Sequence, residues 1–382
     1  MRLRKEISLK KIFAPVLVLI LSASHCGIKS YSGQPADRPL LKIVDINVWS
    51  GLDYKGNLWM GEYETSDVRE KRYEILLSQL KNLDPDLIGI HEANKLPGYA
   101  LRLARDLNYD VIYHVGVGGV RAGPVGLPWN LREGDGILAR RDLLLESAGR
   151  KQLSGDYVGN FFTFHFDDAT QVLAGRFRNG GKLYYIFATH WHASVLDTPE
   201  VMKTAAELKA KLHLSDAQWN VAMSEIQSGV RWRQEESEKT LQFIRETAGD
   251  HPYFLIGDFN SVRGTKEIEN LINGGMADTF FERNGPVEAY TWNPDQNLNQ
   301  KKYYQTGDAD AGKLESENSL YALLDAAYDR KPRRIDFIFA GPKQELTSGR
   351  MRVMESRVVL DRVMERLHTS DHFGIYSEIG VK

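Results

Sequence analysis

Cysteine is almost absent from this 382-residue sequence, in which Cys26 is the single example. One thiol cannot form an intramolecular disulfide or supply a cysteine-rich metal cluster. The sequence also lacks repeats of fixed period, which argues against solenoid and array architectures. Its apolar fraction of 42% and charged fraction of 26% are typical of an ordinary globular protein. The length allows one large domain or two modest ones.

Long apolar runs are scarce, and the one near the N-terminus has the pattern of an export signal. Residues 1–11 contain five basic residues and one acidic residue, and they precede the apolar run "IFAPVLVLIL". That run is too short to be a comfortable membrane anchor. We therefore predict a signal peptide at 1–25, a polar tether at 26–39 and one domain at 40–382.

Cys26 directly follows the apolar segment and its short small-residue stretch. This is the place of the lipidated cysteine in bacterial lipoproteins, although His25 stands where a small residue is usual. Two outcomes stay open. Lipidation of Cys26 would tether the exported protein to a bacterial membrane without spanning it, whereas simple cleavage would give a periplasmic or secreted form.

The sequence also lacks a run of basic residues in its predicted mature part. Removing residues 1–25 takes away five positive charges and one negative charge, so the formal net charge changes from −2 to about −6. Proteins that follow a phosphate backbone usually present a basic surface. The charge therefore disfavours a tight, non-specific grip on nucleic acid.

Apolar strands alternate with amphipathic helices along the chain. Strands are predicted at 40–49 and 85–93, with a helix at 66–83 between them, and this order is typical of an α/β layered domain. Further predicted strands lie at 109–116, 135–140, 159–166, 170–178, 182–190, 254–258, 333–341 and 371–379. Helices are predicted near 97–107 and across most of 198–248. The Gly- and Pro-rich stretch 116–131 and the polar stretch 284–330 are predicted to be irregular.

Apolar strands repeatedly end on isolated polar residues. These residues are Asn47, Glu92, His190, Asp258 with Asn260, and Asp371 with His372, and Asp336 lies inside a further strand. Any one of them could be a turn residue or a satisfied core residue. Buried carboxylates and imidazoles are costly unless they are paired or coordinated, so the whole set favours one shared polar site.

The motifs "INVW", "PDLIGIHEA", "THWHA", "IGDFNSV", "RIDFIFAG" and "SDHFGIY" occur in this order from residue 40 to the C-terminus. Together they resemble the endonuclease/exonuclease/phosphatase superfamily, with "EGDGILARRDL", "RWRQ" and "YTW" as weaker traces. The resemblance implies an α/β four-layer sandwich of two packed, mainly antiparallel β-sheets flanked by helices. It also implies an active site at one rim of the sheets.

The resemblance assigns roles to these residues. Glu92, assisted by Asn47, would bind a divalent metal, and Asp371 would bind near it. His372 would be the general base that activates water, and Asp336 would orient it. The remaining roles are alignment of the water by Asp258, binding of a phosphate oxygen by Asn260, and stabilisation of the transition state or protonation of the leaving oxygen by His190.

The chemistry of the side chains agrees with these roles. A hard cation held by few protein ligands neutralises the charge that develops on a phosphoryl group, and Mg²⁺ is the expected ion, with Mn²⁺ or Ca²⁺ as alternatives. A histidine paired with a carboxylate is a suitable base near neutral pH. Zinc is a poorer choice, because the chain offers no usable cysteine and no histidine pair at helical spacing.

The fold does not choose the phosphoester, because specificity lies in the loops. We expect hydrolysis of a phosphodiester or phosphomonoester in a lipid headgroup or small molecule, since "THWHA" resembles sphingomyelinase-like members. Trp129 could make peripheral membrane contact or could close the site as a packed aromatic residue. The alternatives are a metal-dependent endonuclease acting on nucleic acid and a non-catalytic surface-binding lipoprotein. The sequence shows no sign of an obligate protein partner.

Overall fold

The computed structural model describes residues 36–51, 64–122, 125–154, 163–164, 170–303 and 320–382. The predicted signal peptide and Cys26 lie outside these residues, as does the side chain of Trp129. The described residues belong to one compact unit, Pro35–Lys382. Among them, no helix combines the length and the apolar character needed to cross a membrane.

The described part of the chain contains thirteen strands in two sheets. They are β1 (Leu40–Asn47), β2 (Leu87–His91), β3 (Tyr109–Ala122), β4 (Val125–Arg140), β5 (Glu146–Gln152), β6 (Thr163–Phe164), β7 (Gln171–Asn179), β8 (Lys182–His190), β9 (Tyr253–Asp258), β10 (Ala277–Asp278), β11 (Asp336–Gly341), β12 (Met351–Val359) and β13 (Gly374–Val381). The first sheet has the order β12-β13-β1-β2-β4-β3-β6, and the second has the order β10-β11-β9-β8-β7-β5. Pairing is antiparallel except between β1 and β2 and between β8 and β9.

Helices cover the outer face of each sheet. Those described are α1 (Ser66–Leu83), α2 (Gly98–Leu107), α3 (Pro199–Lys211), α4 (Asp216–Ala248), α5 (Lys266–Asn273), α6 (Thr279–Asn284), α7 (Leu298–Tyr303), α8 (Leu320–Asp329) and α9 (Lys343–Thr347). One apolar cluster joins α1 and α2 to the first sheet, and another joins α4 and α5 to the second. A third fills the space between the sheets. The predicted four-layer α/β sandwich is therefore confirmed.

The alternation of side chains along β1 shows how the sheet separates two cores. Leu41 and Ile43 face the second sheet, whereas Val44 and Ile46 face α1 and α2. Successive side chains of a strand point to opposite faces, so both faces of this strand are apolar because both are covered. Burial of each such side chain contributes about 1.5–3 kcal/mol.

The ends of the two longest helices follow local sequence signals. Thr65 caps α1 by accepting a hydrogen bond from the backbone N–H of Val68, and the helix ends where Asp84 adopts a left-handed conformation. Ser215 and Gln218 form a reciprocal capping box at the start of α4. Such caps satisfy backbone N–H groups that have no partner within the helix.

The prediction of an irregular segment at 116–131 was wrong. Strands β3 and β4 extend through most of it as one antiparallel hairpin, with register shifts between Val115 and Val117 and between Gly118 and Val120. These irregularities fit a Gly-rich strand, because glycine accommodates bulges that other residues resist. The segment 284–330 was also predicted to be irregular, yet its described part contains α7 and α8.

Candidate active site

The polar residues at the strand ends continue the face that lines the space between the sheets. On β9, Phe254 and Ile256 pack in this space, and Asp258 is the next residue on the same face. On β8, Ile186 and Ala188 precede His190 in the same way. The period of two that buries the core therefore also directs these polar groups into one end of the cleft between the sheets.

Asn47 connects the two carboxylates nearest to it. Its Nδ2 atom donates to Glu92 Oε1 at 2.8 Å and to Asp258 Oδ2 at 3.0 Å. Its Oδ1 atom accepts from the backbone N–H of Trp49 at 2.9 Å, which fixes the orientation of the amide. The backbone N–H of Ser50 donates to Glu92 Oε2 at 3.3 Å. In this arrangement Asn47 positions Glu92 and Asp258 by donating to both.

Asp258 also lies between two histidines. Its Oδ2 atom is 3.7 Å from Nε2 of His190 and 3.7 Å from Nε2 of His372. The Nδ1 atom of His372 lies 3.0 Å from Asp336 Oδ2, and the ring of Trp292 stands edge-on to the imidazole with centroids 5.1 Å apart. His372 is thus held on three sides by groups from different elements.

Asn260 and Asp371 complete the set. Asn260 Nδ2 lies 3.0 Å from His190 Nε2 and donates to the Trp191 carbonyl at 2.9 Å. Its backbone N–H donates to Asp258 Oδ1 at 2.9 Å. Asp371 borders the cluster through Ser370, whose hydroxyl lies 3.1 Å from Asp371 Oδ1 and 2.6 Å from the Asn47 carbonyl. The structure therefore links seven of the predicted residues directly and the eighth through Ser370, while their roles stay predictions.

Three residues around the cluster have left-handed backbone conformations. The φ angles are 57° at Trp49, 51° at Glu92 and 46° at Asn260. Such angles are uncommon outside glycine and persist only where the surroundings enforce them. Each follows shortly after the end of an inner strand, so the turn redirects the chain at the rim.

Electrostatics at the site are dominated by excess negative charge. Four carboxylates, from Glu92, Asp258, Asp336 and Asp371, meet two imidazoles. Burial disfavours the protonated form of His372, yet the nearby Asp336 and Asp258 outweigh it and raise its pKa to about 10. Burial likewise opposes the charge on Asp258, but the two histidines and the donors Asn47 and Asn260 hold the pKa of this carboxyl below its usual value.

A second polar cluster lies directly beneath the site. The ring of His91 bridges Asp45 Oδ1 and Asp135 Oδ1, each at 2.8 Å, and all three residues are buried. Burial opposes the charge on His91, but the two carboxylates raise its pKa well above the ordinary value. A Cβ at Gly89 would collide with Asp45, so glycine is required beside this pair. This buried cluster was not predicted from the sequence.

Helix α4 fixes the segment that follows His190. Glu236 accepts from the backbone N–H of His192 at 3.1 Å, and Arg233 donates to the carbonyl of Ser194 at 3.2 Å. The His192 ring packs against Trp232 with centroids 4.3 Å apart. Neither Glu236 nor Arg233 was predicted from the sequence to hold this segment. The only signal was the "RWRQ" trace, which contains Arg233.

The donor set fits a hard divalent cation. Asp258, Asp336 and His372 offer ligand atoms within 4.8 Å of one another, and Asp336 Oδ1 is buried with no hydrogen-bond partner among the described residues. Glu92 lies on the other side of Asp258, where Asn47 joins the two. Carboxylate oxygens in excess over imidazole nitrogens suit Mg²⁺, Mn²⁺ or Ca²⁺ better than Zn²⁺.

No protein-family model matches this sequence, and no curated protein matches it significantly. Solved structures with a similar fold include D. rerio TDP2 complexed with a single-strand DNA product, at 16% identity over 89% of this chain and 98% of that chain, with a TM-score of 0.53. An endonuclease/exonuclease/phosphatase family protein from Bacteroides thetaiotaomicron has 15% identity over 90% and 98%, with a TM-score of 0.51. A mannosyl-6-phosphatase of the same organism has 16% identity over 89% and 99%, with a TM-score of 0.51.

The chain therefore has the fold of the endonuclease/exonuclease/phosphatase superfamily, and the resemblance carried by its motifs is confirmed at that level. At these identities the similarity shows the fold alone.

Proposed function

We propose that this protein is an exported, Mg²⁺-dependent phosphoric ester hydrolase that attacks its substrate with an activated water molecule. The proposal rests on the position of Asp258, because the contacts of the metal-binding residues and those of the base meet at its carboxylate. Asp258 receives the Asn47 link to Glu92 on one side and faces the His372–Asp336 pair on the other.

His372 is the general base of this proposal. Its Nδ1 atom is engaged by Asp336, which leaves Nε2 as the atom that takes a proton from water when the imidazole is neutral. The carboxylates alone favour the protonated ring, and a divalent cation beside them would offset their charge and favour the neutral form. Nε2 faces Asp258 at 3.7 Å, so the Asp258 carboxylate is placed to orient that water. The pair of carboxylates also stabilises the imidazolium after proton transfer.

Glu92 is the principal residue that would hold the divalent ion, with Asp371 near it, because His372 and Asp336 of the other candidate donor group act here as the base and its partner. The ion would neutralise the negative charge that develops on the phosphoryl oxygens during the reaction. Asn47 keeps Glu92 in place by its 2.8 Å hydrogen bond. Mn²⁺ and Ca²⁺ are the alternatives to Mg²⁺, because the same oxygen ligands accept them.

His190 and Asn260 act on the phosphoryl group itself. Asn260 Nδ2 lies 3.0 Å from His190 Nε2 and donates to it when the imidazole is neutral, so protonation of His190 would break this contact and leave both N–H groups to donate to a phosphoryl oxygen. Burial opposes protonation of His190, but the charges of Asp258 and Glu92 raise its pKa above the ordinary value. A protonated His190 can stabilise the transition state or protonate the leaving oxygen.

Different observations favour different classes of phosphoester substrate. Predicted export and tethering favour a lipid headgroup or small phosphodiester, which includes sphingomyelin-like esters, and allow peripheral membrane contact. Similarity of fold to a TDP2 complexed with single-strand DNA supports the nuclease alternative, and similarity to a mannosyl-6-phosphatase supports monoesters. The motif "THWHA" supports a sphingomyelin-like ester through His192. The ring of His192 packs against Trp232.

A substrate panel tests the proposal. The chain from residue 26 onward is assayed with Mg²⁺ and with EDTA on plasmid and single-stranded DNA, sphingomyelin, phosphoinositides and bis-p-nitrophenyl phosphate. We expect Mg²⁺-dependent hydrolysis that His372→Ala lowers by roughly 10³-fold or more and that the exposed Asp216→Asn leaves unchanged. Hydrolysis of DNA alone would favour the nuclease. No hydrolysis of any ester would favour a non-catalytic binding lipoprotein.

Export and tethering need a separate measurement. The full-length chain is expressed in a bacterial host, and its distribution between membrane and soluble periplasmic fractions is compared with that of Cys26→Ser. Release of the variant from the membrane fraction would support lipidation. Retention of the wild-type protein in the cytoplasm would contradict the predicted signal peptide at 1–25.

A further inference from the structure

The segment that leads to the proposed base is buried without belonging to a strand. Residues 368–371 lie between β12 and β13, and each of them is at most 3% exposed. A buried loop carries backbone carbonyl groups that water does not reach, so each carbonyl needs a donor from elsewhere in the protein. The donors identify the groups that hold His372 and its neighbour Asp371 in place.

Three carboxamides at the start of α7 hold the two carbonyls nearest to the base. Asn297 Nδ2 donates to the carbonyls of Ser370 and Asp371, each at 3.0 Å. Asn299 Nδ2 donates to the same Ser370 carbonyl at 3.0 Å, and Gln300 Nε2 donates to the same Asp371 carbonyl. A carbonyl oxygen has two lone pairs, so both acceptors are saturated. Asn297, Asn299 and Gln300, which we call the amide cluster, are all 0% exposed.

The two carbonyls further from the base also accept from buried side chains. Asn299 Nδ2 donates to the carbonyl of His368 at 2.9 Å, and its Oδ1 atom accepts from the backbone N–H of the same residue at 3.3 Å. Arg72 Nη1 donates to the carbonyl of Thr369 at 2.9 Å. Four consecutive carbonyls are therefore held by side chains that come from α1 and from the start of α7.

The same segment places the groups of the candidate active site. The Ser370 hydroxyl donates to the Asn47 carbonyl at 2.6 Å and accepts from the backbone N–H of His372 at 3.2 Å. Asp371 Oδ1 lies 3.1 Å from this hydroxyl. A displacement of the carbonyls of Ser370 and Asp371 would therefore move the proposed base and the carboxylate near the metal together.

Asn297 also has a purely local role. Its Oδ1 atom accepts from the backbone N–H groups of Asn299 at 2.9 Å and Gln300 at 3.3 Å, so it is the N-cap of α7. Gln300 has no such second role. Its Oε1 atom is buried with no hydrogen-bond partner among the described residues, so its polar contact with the Asp371 carbonyl is what places this side chain. The cap and the hold on the carbonyls can therefore be separated by substitution.

We propose that Asn297 and Gln300 are positioning residues, which hold the base in place through the backbone of the residues before it. The inference rests on the proposed function, in which His372 takes the proton from water. A displaced base slows the chemical step, whereas a substrate held by other residues still binds. The contribution of the amide cluster therefore belongs to kcat rather than to KM.

Asn297→Ser separates the two roles of this residue. The serine oxygen can still cap α7, but its single O–H cannot replace the two donations of Nδ2 to the carbonyls of Ser370 and Asp371. With bis-p-nitrophenyl phosphate at saturating Mg²⁺, we expect kcat to fall by roughly tenfold or more while KM stays within about twofold. An unchanged kcat would reduce Asn297 to a helix cap and overturn the proposal.

Asn179→Ser is the matched control. Asn179 is 3% exposed, and its carboxamide holds a distant backbone segment by donating to the Arg38 carbonyl and accepting from the Arg38 N–H, both at 2.8 Å. It lies at the end of β7 opposite to Gln171, which pairs with His190. We expect this variant to have a lower melting temperature and an unchanged kcat. An equal fall in kcat in both variants would indicate a general loosening of the fold and would overturn the proposal.

Gln300→Met tests the same idea without touching the cap of α7. Methionine has a similar length but no amide donor. We expect kcat to fall by about threefold with KM unchanged, a smaller effect because Asn297 still donates to the Asp371 carbonyl. This variant decides the matter if Asn297→Ser does not fold, and an unchanged kcat in it would then overturn the proposal.

Histidine NMR spectra distinguish failure of this inference from failure of the proposed function. The proton–nitrogen correlations of the histidine rings are recorded in EDTA with isotope-labelled histidine, and those of His372 are identified by their loss in His372→Ala. Even if no ester is cleaved, we expect Asn297→Ser to shift or broaden these signals and Asn179→Ser to leave them in place. Coincident His372 signals in Asn297→Ser and the wild-type protein would overturn the positioning role. Hydrolysis with an unaltered kcat in both variants of the amide cluster would remove that role and leave the hydrolase.

Discussion

His372 Nδ1 lies 3.0 Å from Asp336 Oδ2, and this contact joins the two sheets of the sandwich. Asp336 is the first residue of β11 in the second sheet, whereas His372 leads into β13 in the first. The orientation of the proposed base therefore depends on the packing of one sheet against the other.

Asp336→Asn should shift the pH dependence of catalysis. The negative charges of Asp336 and Asp258 overcome burial and raise the pKa of His372 to about 10. Removing one of these charges lowers that pKa, so the deprotonated base is present at lower pH. We expect the acidic limb of the kcat/KM profile to move to lower pH by roughly one unit or more, with a lower maximum rate. The measurement is a pH–rate profile with bis-p-nitrophenyl phosphate at saturating Mg²⁺.

Asp216→Asn is the control for this profile, because Asp216 is an exposed residue at the start of α4. Its profile should coincide with that of the wild-type protein. A loss of rate in Asp336→Asn without movement of the acidic limb would show that Asp336 does not set the pKa of the catalytic base.

Glu92→Gln should weaken metal binding more than it disturbs the fold. Glutamine can keep an oxygen acceptor toward Asn47, whose Nδ2 atom donates to Glu92 Oε1, but it removes the charge that attracts the cation. We expect the Mg²⁺ concentration for half-maximal activity to rise by roughly tenfold or more. Glu207→Gln, on the exposed face of α3, should leave the Mg²⁺ titration unchanged. An unaltered titration in Glu92→Gln would remove Glu92 from the metal site.

The buried pair of Arg233 and Glu267 should show strong coupling. Arg233 Nε lies 3.1 Å from Glu267 Oε1, and the two side chains are 0% and 2% exposed. Arg233→Met leaves a buried carboxylate without its partner and should lower the free energy of unfolding by about 3–5 kcal/mol. The double variant with Glu267→Gln should recover part of this loss in urea denaturation. Additive losses would mean that the pair is not coupled.

His368 should make stability depend on pH near neutrality. Burial lowers the pKa of His368 below its usual 6.5, and its Nδ1 atom accepts from the backbone N–H of Leu298 at 3.0 Å. Because the unfolded chain binds this proton more readily, the stabilisation is complete above 6.5 and is lost as the pH falls from there toward the folded-state pKa. The decrease in unfolding free energy from pH 7.5 to 5.5 should be smaller in His368→Gln. An equal decrease in the two proteins would mean that His368 does not contribute to the pH dependence.

Much of the site could be predicted because two simple rules coincide. Inner strands are recognisable as apolar runs, and the period of two fixes which side chains share a face. Asp258 and His190 continue inner faces at the carboxyl ends of the parallel pair β8 and β9. Their convergence follows from the strands alone. The link from Asn47 to Glu92 follows similarly from the parallel pairing of β1 and β2.

Other features had no local signal. Strand β5 is mostly exposed at the edge of its sheet, and β12 alternates in burial at the edge of the other, so neither has the continuous apolar run of an inner strand. The left-handed conformations of Trp49 and Glu92 are enforced by tertiary contacts, since their residue types do not favour them.

The bridge of His91 to Asp45 and Asp135 spans three neighbouring strands, β1, β2 and β4. A slip of β2 by one residue would turn His91 into the apolar layer beneath α1 and α2 and would strand two acids in the interior. Misaligned sheets are thereby penalised at the place where misalignment would displace Glu92. The bridge therefore stabilises the strand alignment that places Glu92 at the rim.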